Sequence, residues 1–209
     1  VAIGAPLNDG TAYDVGHVRI YEWDGSAWLQ LGLDIDGVAL NDYFGRSVSM
    51  NAVGDRVAIG ASDYDVYSNH AGHVRVYEWN GNVWTQLGQD IDGEAFGDHS
   101  GTSVSMNAVG DRVAIGATLN DGNSIDAGHV RVFEWDGSSW IQKGQDLDGE
   151  AFGDYSGRSV SMNAAGDRVA IGATGNDGNS GNWNDLRGHV RIYAWESSSW
   201  IQKGQDLDG

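Results

Sequence analysis

Short apolar or alternating segments, each bounded by Gly, Asn, Asp or Ser, follow one another along the whole chain. In one repeat of the pattern they read "VAIGA" from Val57, "HVRVYEW" from His73, "VWTQLG" from Val83 and "TSVSMN" from Thr102. None holds three turns of helical periodicity, and Val, Ile, Tyr, Trp and Thr favour strands, so four antiparallel strands per unit are expected. Alternation sends Val18, Ile20 and Glu22 to one face and His17, Arg19, Tyr21 and Trp23 to the other, and the pattern returns at Val74, Val76 and Glu78 and at Val130, Val132 and Glu134. Neither face is purely polar, which predicts sheets sandwiched between neighbouring sheets rather than one sheet with a wet side.

The turns between these segments are legible too. Asp24-Gly25, Asn80-Gly81 and Asp136-Gly137 sit between paired tryptophans and read as hairpin turns, because small or Asx residues tolerate positive φ. The corresponding "WESSSW" lacks the glycine, so a longer turn or one of a different type is expected there. In "NAVGDRV" and "NAAGDRV" a second reversal is expected at Gly54, Gly110 and Gly166, with the following Asp capping local amides.

"VAIGA" begins at Val1, Val57, Val113 and Val169, 56 residues apart each time, and the units run 1–56, 57–112, 113–168 and 169–209. The last is partial and carries four extra residues within its Asn- and Gly-rich loop. The expected fold is all-β: residues 1–209 form one region of tandem four-stranded antiparallel β-propeller blades. Because the chain begins inside a repeat motif, it reads as an incomplete portion of a larger propeller.

Charge and composition narrow the functions. Thirty acidic against twelve basic residues leave a net charge of −18, which disfavours nucleic acid and anionic membranes. The absence of cysteine removes disulfides, thiolate metal sites and thiol nucleophiles. No apolar run is long enough for a membrane helix. The chain also lacks a G-x-S-x-G elbow, an H-E-x-x-H pair and a phosphate loop, and Ser103 and its equivalents show no activating triad.

Phe44-Gly45 before "RSVSMN", "VAIGAP" ending at Pro6 and "GHVRIYEW" from Gly16 resemble the FG-GAP repeat of integrin alpha-chain propellers. The resemblance covers essentially the whole chain, although the Phe-Gly pair becomes Ser100-Gly101 and Ser156-Gly157 in later copies. It implies a blade order beginning with the "SVSMN" strand nearest the axis, a propeller of about seven blades, and an extracellular or cell-surface location.

Two acidic sets are candidate sites. Asp34, Asp36, Asp90, Asp92, Glu94, Asp98, Asp146, Asp148, Glu150 and Asp154 alternate near glycines and are candidate calcium ligands, the one cofactor expected, with solvated turn-capping acids as the competing reading. The enlarged loop offers Asn176, Asp177, Asn179, Trp183 and Asp185 as a partner-binding set. The repeated His17, His73, His129 and His189 lie on separate blades and read as structural hydrogen-bonding groups. The paired tryptophans read as packing beside the hairpin, with sugar stacking as the alternative.

Three functions compete. The leading one is a noncatalytic adhesion, matrix or surface-structural module that binds a protein or glycan through blade-end loops and self-associates through exposed blade edges. The alternatives are a carbohydrate-binding propeller that uses the repeated tryptophans and a glycoside-active enzyme that uses carboxylates.

Overall fold

The computed structural model describes residues 1–10, 12–62, 71–177 and 186–209. Four antiparallel sheets follow one another along the chain. The first holds β1 (Ala2–Ala5), β2 (His17–Trp23), β3 (Trp28–Gln30) and β4 (Ile35–Asp36). Blade 2 holds β5 (Ser47–Met50), β6 (Arg56–Ala61), β7 (His73–Trp79), β8 (Trp84–Gln86) and β9 (Ile91–Asp92). Blade 3 repeats this with β10 (Ser100–Met106), β11 (Arg112–Ala117), β12 (His129–Trp135), β13 (Trp140–Gln142) and β14 (Leu147–Asp148). Blade 4 comprises β15 (Ser156–Met162), β16 (Arg168–Ala173), β17 (His189–Glu196), β18 (Ser199–Gln202) and β19 (Leu207–Asp208). The strand order β10-β11-β12-β13 is that of a propeller blade, and the first sheet lacks an innermost strand.

Each outer edge is split in two. In blade 3, β13 pairs with Phe133–Trp135 and β14 pairs with His129 and Val130. Gly144, at φ 84°, lies in the bend between them. This adds a short fifth strand to the four expected per blade.

The three apolar cores lie between sheets. Val130 and Val132 join Val169, Ile171 and Trp200 of the next blade, while Phe133 and Trp140 pack back against Val74 and Val76 of the previous one. The third cluster joins Val18 and Ile20 to Phe44, Val57 and Ile59. Both faces of each middle sheet are therefore buried, which is why its long strands are apolar on both faces.

Polar groups then fix the spacing of the blades. Ser103 Oγ donates to the Gly157 carbonyl at 2.7 Å, and Ser105 Oγ accepts from Met162 N at 2.9 Å. Ser47 and Ser49 make the same two bonds to Gly101 and Met106. These serines are straps between inner strands.

The tryptophans close the outer part of each junction. Nε1 of Trp84, Trp140 and Trp200 donates to Leu31, Leu87 and Lys143 carbonyls at 2.8–2.9 Å, each on the preceding blade. Trp140 and Trp200 are 2 % exposed, whereas Trp23 and Trp28 of the first sheet are 51 % and 55 % exposed. Three of the four pairs are thus committed to packing, which argues against the repeated tryptophans as a sugar-stacking series.

Two turns add detail to what the sequence predicts. "WESSSW" makes a two-residue turn with Ser197 and Ser198 both at positive φ, and Glu196 pairs with Ser199 across it. It is of a different type, and tighter. In the other reversal the capping side chain is the leading Asn: Asn107 Oδ1 accepts from Gly110, Asp111 and Arg112 N at 3.0–3.1 Å, and its Nδ2 donates to Asp111 Oδ1 at 2.7 Å.

Candidate metal centres between the blades

The β7, β12 and β17 strands each begin with a histidine, and strand pairing sets an aspartate directly opposite: His73 with Asp92, His129 with Asp148 and His189 with Asp208. Directly opposed residues share a face, and so does the aspartate two positions earlier. Each imidazole therefore meets carboxylates of its own blade. The preceding blade supplies a third kind of group. Glu94, Glu150 and Val38 occupy equivalent positions in "DIDGEAFGD", "DLDGEAFGD" and "DIDGVALND".

Three clusters result among the described residues: His17 with Asp34 and Asp36, Glu94 with His129 and Asp146, and Glu150 with His189 and Asp206. In each, one ligand atom per residue lies within 4.8 Å of the others. His129 Nδ1 stands 4.0 Å from Glu94 Oε2 and 3.9 Å from Asp148 Oδ1. His189 Nδ1 stands 3.9 Å from both Glu150 Oε2 and Asp206 Oδ2. These separations are too long for hydrogen bonds and wider than the roughly 3.4 Å between two ligands of a tetrahedral ion, so the side chains would have to close in by about 0.5 Å to share a cation.

Burial sharpens the point. The side chains of His129 and His189 are 1 % exposed, and neither ring makes a hydrogen bond among the described residues; both Nε2 atoms are buried and unsatisfied. Desolvation, reinforced by Arg131, holds His129 down to about 4, so at neutral pH it presents a lone pair rather than a charge. Desolvation also pushes Glu94 and Asp148 above their ordinary values, with neighbouring carboxylates adding to the effect. Glu94 and Glu150 remain 44 % and 47 % exposed, so each cluster is dry on its imidazole side and open to water on its glutamate side.

Val38 explains why the junction between blades 1 and 2 differs. With no glutamate across from it, Arg75 turns to its own blade and binds Asp90 through two bonds of 3.0 and 2.8 Å. Arg131 and Arg191 instead reach back to the Asp92 and Asp148 carbonyls at 2.7 and 2.6 Å and lie 3.4 and 3.6 Å from Glu94 and Glu150. That leaves Asp146 and Asp206 to the clusters, each steadied by a glutamine four residues earlier. In the first cluster Arg19 grips Asp34 in two bonds and holds it at about 2, so the arginine competes there with any cation.

The acidic residues singled out in the sequence thus have different fates. Asp34, Asp36, Glu94, Asp146 and Glu150 enter clusters, Asp148 faces one, Asp90 is an arginine partner, and Asp92 lies opposite His73. Asp98 and Asp154 are 2 % and 1 % exposed and accept backbone N–H bonds from residues 94–95 and 150–151, so they act within turns. Of the loop set, Asn176 is buried and donates to Asp154 Oδ1 at 3.2 Å, Asp177 is partly exposed, and Asn179, Trp183 and Asp185 lie outside the described residues. Sequence reasoning took the histidines as structural because they stand far apart in the chain. The overlooked signal is the recurring order of Glu, His and Asp-x-Asp, which assembles across two blades.

The imidazole in every cluster bears on which metal fits, since calcium was expected. The three clusters form candidate metal-binding sites, but a mixed nitrogen and carboxylate set is not the all-oxygen set calcium prefers.

Comparison with known proteins bears on the fold. No family model matches the chain, and no curated protein matches its sequence. Among solved structures, a candidate 6-phosphogluconolactonase from Bacteroides uniformis matches with a TM-score of 0.61 at 10 % identity, over 92 % of this chain and 48 % of that one. Hydrazine synthase from Kuenenia stuttgartiensis matches with a TM-score of 0.53 at 8 % identity, over 92 % of this chain and 43 % of that one. The chain spans about half the length of the structures it matches, and at such identities the likeness carries the fold alone. The fold class is a β-propeller type built of four repeated sheets.

These findings overturn the FG-GAP, integrin-type resemblance, which no family model supports. The noncatalytic adhesive, matrix or surface-structural reading drew on that resemblance together with repetition and acidity, and it is overturned too. The clusters do bring carboxylates of different blades together, which is what the carboxylate-dependent alternative requires.

Proposed function

We propose that this chain belongs to a metal-dependent hydrolytic propeller in which ions at the blade junctions activate water. The observation that carries the reading is the repeated convergence of one buried imidazole with carboxylates from two blades, unbonded to each other at 3.9–4.0 Å. A His–Glu–Asp set suits zinc or another divalent transition metal. Three protein ligands leave a coordination position for water, whose pKa a bound zinc lowers to about 7. The exposed glutamate side is where a substrate would reach that water. Carbohydrate-derived lactones, esters or glycosides are the substrate class to try first, since one matched fold bears a lactonase name and paired carboxylates suit glycoside chemistry.

The test is direct metal analysis and turnover on the same preparation. Zinc or manganese should bind at two strong sites, and lactone, ester or glycoside hydrolysis should appear with metal, vanish with chelator and fall at least tenfold in the Glu94→Gln/Glu150→Gln double variant. Ions that bind and raise the melting temperature without supporting turnover would reduce the clusters to clamps between blades and overturn the catalytic reading.

A further inference from the structure

On one face of the blades, at the inner-strand end, the turns that lead into β10 and β15 and the turn before β5 surround a cavity of about 540 Å³. Equivalent positions of successive repeats line it. Tyr43, His99 and Tyr155 form one such set, and Arg46, Thr102 and Arg158 another. Ser62, Thr118 and Thr174 add a ring of hydroxyl residues from the ends of β6, β11 and β16.

Two independent features set this cavity apart. The first is backbone conformation: Tyr43, His99 and Tyr155 have φ of 51°, 56° and 53°. Tyrosine is costly in the left-handed region, where glycine or asparagine would serve, yet the turn keeps an aromatic or imidazole ring there in all three repeats. Asp98 and Asp154 hold the preceding residues through backbone bonds, and Tyr155 N donates to the Asp126 carbonyl at 3.2 Å, so the conformation is enforced from both sides.

The second feature is charge. Arg19, Arg56, Arg75, Arg112, Arg131 and Arg191 all pair with carboxylates. Arg46 and Arg158, both at the cavity, have no side-chain hydrogen bond or ion pair among the described residues. Arg168 is also unpaired, but it stands at the opposite end of β16, where Ala194 faces it. In a chain of net charge −18, two guanidinium groups without a carboxylate partner stand out at one cavity and offer it positive charge.

We infer that this cavity is a binding site for a small hydroxylated organic anion, with Arg46 and Arg158 meeting its carboxylate or phosphate and the Tyr, Thr and Ser hydroxyls meeting its own hydroxyls. Guanidinium is the side chain best shaped for a carboxylate or phosphate. The hydroxyl ring both donates and accepts, as a polyol requires. The site uses none of the junction carboxylates, so it stands apart from the metal-dependent reading.

Binding is measured by calorimetry on the full 209-residue chain after treatment with chelator, which separates this site from the metal centres. The probes are gluconate, glucose 6-phosphate, inorganic phosphate and uncharged glucose. Gluconate or glucose 6-phosphate should bind saturably in the millimolar range or tighter, more strongly than either phosphate alone or glucose. The Arg46→Gln/Arg158→Gln double variant should lose at least tenfold in affinity with an unchanged melting temperature, because neither arginine holds another residue, and Tyr155→Phe should lose about threefold. Absence of binding by both hydroxylated anions, or binding unaltered by the double variant, overturns the assignment. Inorganic phosphate that matches the sugar anions overturns its hydroxyl component.

Discussion

Gly144 of blade 3 lies where any side chain would strike Trp195 of blade 4: a Cβ there would sit 2.5 Å from Cζ3 of that ring and 3.0 Å from Cδ1 of Trp200. Gly32 and Gly88 seat the tryptophan pairs of blades 2 and 3 in the same way. Gly204, the equivalent in blade 4, has almost the same φ (78° against 84°) but nothing within 4 Å. The four glycines separate conformational strain from steric fit.

Gly204→Ala should therefore cost only the left-handed backbone term, about 1–2 kcal/mol. Gly144→Ala should cost that and about 1–3 kcal/mol more for the displaced tryptophans. Urea denaturation of the two variants measures the difference; equal losses would mean that the seat yields freely.

Val38→Glu should build a third junction site. A glutamate there restores the group that Glu94 and Glu150 supply elsewhere and draws Arg75 away from Asp90, leaving that carboxylate beside His73. Bound transition metal, counted by direct analysis, should rise by one ion per chain. At a free metal concentration a hundred times the dissociation constant, the added site should stabilise the fold by about 2.7 kcal/mol.

Acid should weaken the junction at His73. Desolvation, aided by the nearby Arg75 charge, lowers this imidazole from 6.5 to about 4. Between those values the unfolded chain takes up a proton that the native chain refuses, so stability is full above about pH 6.5 and falls as pH drops toward 4. The loss is on the order of 3 kcal/mol. Stability measured in chelator from pH 7.5 to 4 should have a shallower slope in His73→Gln than in the parent, whatever the absolute cost of the change.

Asn107→Ala should be more damaging than Asp111→Ala. Asn107 is 2 % exposed and its Oδ1 serves three backbone amides, whereas the Asp111 side chain accepts one bond from Asn107. Loss of the amide leaves donors unsatisfied at about 1–3 kcal/mol, and chemical denaturation of both variants ranks the two.

The four principal strands of each blade, the hairpin positions and the sandwiching of sheets could be read from the chain because they depend on neighbours two to six residues apart, whereas the two-residue strands β9, β14 and β19 are too short to leave a pattern. Alternating Val18, Ile20 and Glu22, or the Asn80-Gly81 turn, carry that information locally. The Asn51, Asn107 and Asn163 brackets were misread as aspartate caps, since two adjacent polar side chains compete for the same amides and only the geometry of the turn selects one.

The sequence by itself determined a repeated all-β architecture with apolar matter on both faces of each sheet, because strand period and turn chemistry are short-range properties. The tertiary structure alone decided the chemistry of the seams. Glu94 meets His129 across 34 intervening residues folded into two blades, Arg75 changes partner because Val38 stands on another sheet, and Arg46 and Arg158 come to one cavity from turns two repeats apart. Such encounters are set by how blades stack, and the carboxylate pattern of any single repeat does not encode them.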